Sequence, residues 1–83
     1  HALAYLFWGL ALKHLGDSEA AVAPLRRGVA CRPEMFQLQL ALGEALLESG
    51  QRREAETYLE NARYLDPKDS RLLQALERLR GKK

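Results

Sequence analysis

The stretch Leu6-Phe7-Trp8-Gly9-Leu10-Ala11-Leu12 is written again 34 residues later as Leu40-Ala41-Leu42-Gly43-Glu44-Ala45-Leu46. Leu6, Gly9, Ala11 and Leu12 recur unchanged. Outward from this stretch the match continues without a gap: Gly16 with Gly50, Ala21 with Ala55, Leu25 with Leu59, Pro33 with Pro67. A third copy then opens, with Leu38, Ala41 and Leu42 returning as Leu72, Ala75 and Leu76. A fixed period of this length marks a stack of two-helix units, each burying its apolar face on the next, rather than one closed core. Stacks of this kind work by holding another chain.

Within each period the apolar spacing is helical. Leu38, Leu42, Ala45 and Leu46 fall at steps of three and four, on one face. No run alternates with period two, and β-branched residues are few. The chain is therefore all-α, with helices predicted over about 2–15, 18–31, 35–49, 52–65 and 69–80. Gly16 and Gly50 supply the left-handed conformation that ends a helix. Asp17 can cap the helix that follows. Pro33 and Pro67 push Arg32 and Asp66 out of helical geometry. Asp69 or Ser70 can cap the last helix, and Gly81 can end it. Pro24 falls inside the second helix, which is expected to kink between Ala20 and Pro24 with the lost hydrogen bond on the solvent side.

The two full copies have a familiar pattern. The first reads Tyr5-x-x-Trp8-Gly9-x-x-Leu12, then Ala21-x-x-x-Leu25-x-x-Gly28, then Pro33. The second reads Gln39-x-x-Leu42-Gly43-x-x-Leu46, then Ala55-x-x-x-Leu59-x-x-Ala62, then Pro67. This resembles the tetratricopeptide repeat, over nearly the whole chain. Trp8, Gln39, Leu25, Leu59 and Gly28 depart mildly from the family pattern. The resemblance implies a right-handed α-solenoid: repeat one at about 2–35, repeat two at about 36–69, and a capping helix at about 69–81. The expected core is Tyr5, Trp8, Leu12, Ala21, Leu25, Leu42, Leu46, Ala55, Leu59, Ala62, Leu73 and Leu76. Gly9 and Gly43 are expected to let the two helices of a repeat approach, against Ala21 and Ala55. Gly28 is expected to make room for Trp8.

Eighty-three residues form one domain at most, and stacked repeats usually need about three copies for stability. The apolar opening without an initiator Met reads as a fragment of a longer protein. The formal charge of +2 is nearly neutral, with its positive excess late, at Arg71, Arg78, Arg80, Lys82 and Lys83. Those cations suit the negative end of a helix dipole. The single cysteine, Cys31, excludes an intramolecular disulfide and reads as a small apolar filler. Lys13-His14 interrupt the apolar opening before it reaches a membrane-spanning length of about 18 to 20 residues. No signal peptide is visible, and the expected location is cytoplasmic. The Ala-Leu-Arg-rich composition suits a bacterium with a high-GC genome.

No constellation for catalysis is present. There are two histidines, His1 and His14, with no metal-ligand spacing and no phosphate loop. The chain is read as non-enzymatic, without cofactor or metal. The resemblance implies a concave groove lined by the first helices of successive repeats, which takes an extended peptide or a partner helix. Its positions here are Leu3, Leu6, Leu10, Lys13 and His14; then Gln37, Leu40, Glu44, Leu47 and Glu48; then Arg71, Gln74 and Arg78. The surface thus runs from apolar through acidic to basic. The clamp by which some family members grip the C-terminal carboxylate of chaperones is absent, because Leu6, Leu10 and Glu44 stand in its place. Two functions follow: a protein-interaction scaffold, or a reader of single-stranded RNA. RNA readers need a basic groove with stacking groups, and the acidic middle row argues against nucleic acid. Leu3, Leu6, Phe7 and Leu10 cannot all be covered by one neighbouring helix. Their open side is expected to pack on a preceding repeat, a ligand, or a second copy as a homo-oligomer through the N-terminal helix.

Overall fold

Two glycines and two prolines set the helix boundaries of this protein. The computed structural model describes residues 1–81, so Lys82 and Lys83 of the basic C-terminal group lie outside the described residues. Five helices are formed: α1 (Ala2–His14), α2 (Ser18–Cys31), α3 (Phe36–Glu48), α4 (Arg52–Leu65) and α5 (Ser70–Leu79). They hold 79% of the described residues, among which there is no strand.

The period is kept down to single hydrogen bonds. Gly16 and Gly50 both take φ +85°, a region that costs glycine little because it has no Cβ. After α1, Gly16 N–H donates to Lys13 O at 2.9 Å and Asp17 N–H to Leu12 O at 2.9 Å. After α3, Gly50 N–H donates to Leu47 O at 3.1 Å and Gln51 N–H to Leu46 O at 2.8 Å. This pair of bonds is the Schellman closure of a helix end. The even-numbered helices end instead at extended pre-proline residues, Arg32 and Asp66. The Asp17 carboxylate caps α2 by accepting from Ala20 N–H at 3.1 Å. Asp69, rather than Ser70, caps α5, accepting from Arg71 N–H and Leu72 N–H at 2.9 and 3.1 Å. At the far end of α5 the Arg52 guanidinium donates to the carbonyls of Leu79 and Arg78, so a cation from α4 meets the negative end of the helix.

Helix α3 is the centre of the molecule and packs against α1, α2, α4 and α5. Its two sides and the facing helices supply the core: Leu38, Leu42, Ala45 and Leu46, with Ala21 and Leu25 from α2, Ala55, Leu59 and Ala62 from α4, and Leu72, Ala75 and Leu76 from α5. Tyr5 and Leu12 are half-buried at its margin.

Several expectations are corrected. Trp8 is 56% exposed and stacks on Tyr5, with ring centroids 6.5 Å apart. Leu73 is 51% exposed, and Leu72 is the residue that points inward. Gly28 makes no room for Trp8. A Cβ there would come within 2.5 Å of Leu38 Cδ2 and 3.2 Å of Tyr5 Cβ, so Gly28 serves the contact between repeats. Gly9 and Gly43 do permit close approach, but the nearest atoms belong to Leu25 and Leu59 rather than to Ala21 and Ala55. As expected, α2 continues as one helix through Pro24, and the carbonyl deprived of its helical donor belongs to Ala20, on the solvent side. Cys31 is exposed and fills no core space. Leu6 is buried and Leu10 half-buried, whereas Leu3 and Phe7 are exposed, so two of the four apolar positions of α1 stay open. Gln39 is buried where the first copy has Tyr5. Its amide donates to Pro33 O at 2.8 Å and accepts from Asn61 at 3.3 Å, which satisfies the buried polar group and ties the α2–α3 loop to α4.

Candidate binding groove

The odd-numbered helices lie side by side, α1 against α3 and α3 against α5. Between them opens a cleft of about 390 Å³. Its walls are Leu3, Leu6, Phe7, Leu10, Leu40 and Ala41, and its rim is Met35, Gln37, Glu44 and Arg71. The lining is built from equivalent positions of the repeat. Leu6 and Leu40 are one register position, as are Phe7 with Ala41 and Leu10 with Glu44; Leu3, Gln37 and Arg71 are the same position in all three copies. A helix turns about 100° per residue, so these positions share one face of each helix and face the same space.

Charge in the cleft is largely settled internally. Lys13 Nζ donates to Glu44 Oε1 at 2.6 Å, and the two side chains are only 12% and 14% exposed. Glu48 accepts from Ser18 Oγ and pairs with Arg78 at 3.7 Å. The acids of the middle row are therefore matched by cations from the rows on either side. Arg71 is exposed and makes no ion pair among the described residues.

Of the positions predicted from sequence, Leu3, Leu6, Leu10, Gln37, Leu40, Glu44 and Arg71 line this cleft. Lys13 reaches it through Glu44, and Glu48 and Arg78 pair farther along. His14 and Gln74 are exposed but outside the lining, and Leu47 is turned into the core. Sequence reasoning missed Phe7, Met35 and Ala41. The repeat register could have found Phe7 and Ala41, which neighbour Leu6 and Leu40. Met35 lies in the loop ahead of α3, where no periodicity applies.

The tetratricopeptide repeat family model matches residues 12–79. The chain belongs to this family. No curated protein matches the sequence. Tetratricopeptide repeats generally mediate protein–protein interactions and are generally non-catalytic. Among the described residues no cluster of three His, Cys, Asp or Glu could hold a metal ion, and no helix is long and apolar enough to cross a membrane.

Proposed function

We propose that this tetratricopeptide chain is a non-catalytic scaffold that holds a peptide or partner helix in the α1–α3–α5 cleft. The observation that carries this reading is the cleft itself: an apolar floor of Leu3, Leu6, Phe7, Leu10 and Leu40, with Arg71 at its rim making no ion pair among the described residues. An apolar side chain of the ligand fills the space between Leu3, Leu6, Phe7 and Leu40. Burial of that anchor supplies most of the affinity, at roughly 25 cal/mol per Å² of apolar surface removed from water. A carboxylate near the anchor meets Arg71, which fixes orientation more than it adds affinity.

A random peptide library displayed on phage and selected against the chain tests this. The expected outcome is enrichment of one bulky apolar residue with an acidic neighbour. Leu3→Glu should abolish binding of the selected peptides, and Arg71→Glu should remove the acidic preference. Both residues are exposed, so the fold tolerates either change. Selected peptides that bind both variants as well as the parent refute the groove. Salt-sensitive binding of random single-stranded RNA, with no peptide selected, would make the chain an RNA reader instead.

A further inference from the structure

We propose that the outer face of α1 is a dimerisation seam, and that its occupant is the same face of a second copy in antiparallel orientation. This surface adjoins the cleft, with which it shares Phe7. It consists of Ala4, Trp8 and Ala11 with Leu15 at the helix end, flanked by Phe7. Phe7, Trp8 and Leu15 are 61%, 56% and 81% exposed, and both alanines are exposed as well.

The fold shows what this face is for in the other copies. Ala4, Trp8 and Ala11 occupy the register of Leu38, Leu42 and Ala45 in α3, all of them buried. There α2 packs on α3, and Gly28 lies against Leu38 so closely that a Cβ would stand 2.5 Å from Leu38 Cδ2. In α5 the same register places Leu72 and Leu76, again buried. The outer face of α1 is thus a helix-packing face that the molecule covers wherever it has a helix to do so.

Side-chain sizes select the occupant. Helix α2 sets its smallest residue, Gly28, opposite a leucine. The second copy has Ala62 at this position, so a covering helix of the same kind would set a small residue opposite Ala4 and leave a gap. The seam instead alternates, small at Ala4, large at Trp8, small at Ala11, large at Leu15, at the steps of four and three that keep a helix pair in contact. Two such seams run antiparallel about a twofold axis are complementary. Trp8 of one copy falls opposite Ala11 of the other, and Ala4 opposite Leu15. An isologous contact of this form repeats each pairing twice. No Asp, Glu, Lys or Arg lies between Ala2 and Leu12, so no charge opposes the approach, and the antiparallel helix dipoles favour it. The exposed side chains offer roughly 500 Å² per copy, about 1,000 Å² for the pair, which is the lower bound of a specific interface. The dimer is therefore weak and concentration-dependent.

Sedimentation equilibrium of the 83-residue chain across the micromolar range tests the proposal, with far-ultraviolet circular dichroism to show that each variant keeps its helices. The parent should associate reversibly as a dimer. Trp8→Ala, which leaves a hole, and Ala11→Trp, which sets two indoles against each other, should each weaken association by about tenfold or more, the usual cost at a central aromatic contact. The double variant exchanges the two sizes and should restore the dimer. Arg71→Glu, in the cleft, should leave it unchanged. A strictly monomeric parent overturns the proposal and leaves the face to a different helix. Association that Trp8→Ala does not weaken, or a folded double variant that stays monomeric, overturns the antiparallel pairing.

Discussion

Replacing Gly43 by alanine should destabilise this protein, although alanine is the better helix former. A Cβ at Gly43 would stand 2.6 Å from Leu59 Cδ2, 2.7 Å from Leu59 Cγ and 3.4 Å from Leu59 N. Cγ is the branch point of the side chain, not its free end, and Leu59 is fully buried. The leucine can escape only by leaving its rotamer or by carrying α4 outward. Forcing a methyl group into a packed core costs about 1–3 kcal/mol. The gain from alanine in a helix is about 0.5–1 kcal/mol. The net loss is then between about 0 and 2.5 kcal/mol with a midpoint of about 1, which for a chain of this size lowers Tm by roughly 5 °C. Thermal melts followed by circular dichroism, at matched protein concentration, read this directly.

A double-variant cycle isolates the cause. Leu59→Ala alone should cost about 2–5 kcal/mol, the usual range for a buried leucine. On that background Gly43→Ala has nothing to strike and should be neutral or stabilising by up to about 1 kcal/mol. If Gly43→Ala costs the same with and without the leucine side chain, steric contact is not why the glycine recurs. A Gly43→Ala chain that melts at or above the parent would refute the reasoning outright. Gly9 offers an independent repetition, since its Cβ would lie 2.4 Å from Leu25 Cγ.

Asp69→Ala removes the carboxylate that accepts two backbone N–H groups at the start of α5 and should lower stability by about 1 kcal/mol, seen as a lower urea midpoint with unchanged slope. Glu44→Gln leaves the poorly exposed Lys13 with a neutral acceptor and should cost about 1–2 kcal/mol; no change in the urea midpoint would mean that the pair contributes nothing net. Cys31 is exposed, so a disulfide thiol reagent should titrate one thiol per native chain without loss of helicity; reaction only after denaturation would contradict that exposure.

Most of the fold was legible because the helix boundaries are set locally. Gly16, Gly50, Pro33 and Pro67 act through their own backbone chemistry, and Asp17 and Asp69 through side chains two or three residues from the groups they cap. What failed depended on neighbours. Trp8 holds the register of Leu42, which is buried, so the period marked it as core. Helix α3 is packed by α1, α2, α4 and α5, whereas α1 packs against α2 and α3 alone among the described residues. Leu72, not Leu73, is the core residue, and the 34-residue offset from Leu38 points to it. Trp8, the partner expected for Gly28, lies in the same repeat, whereas the contact of Gly28 with Leu38 belongs to the junction between repeats. The period fixes a residue's position within a unit; it does not say whether another unit covers that position.

The cleft shows the same division. Its lining repeats at the period, so Leu3, Leu6, Leu10, Gln37, Leu40, Glu44 and Arg71 could be chosen from sequence. The electrostatic character of that surface could not. Read as a string, the middle row is acidic, with Glu44 and Glu48 facing the ligand. In three dimensions Lys13, on the preceding odd-numbered helix, consumes Glu44, and Ser18 and Arg78 consume Glu48. These pairings join residues about thirty apart and depend on side-chain reach, which no local pattern encodes. They change the argument about the partner. With both acids compensated, the charge that the described residues leave for the proposed ligand is the guanidinium of Arg71. A cation beside an apolar floor discriminates among apolar peptides by whether an acid accompanies the anchor, because a basic neighbour there would meet like charge with no carboxylate to relieve it. The acids of the middle row thus carry no weight against nucleic acid, because both are matched by partners within the chain.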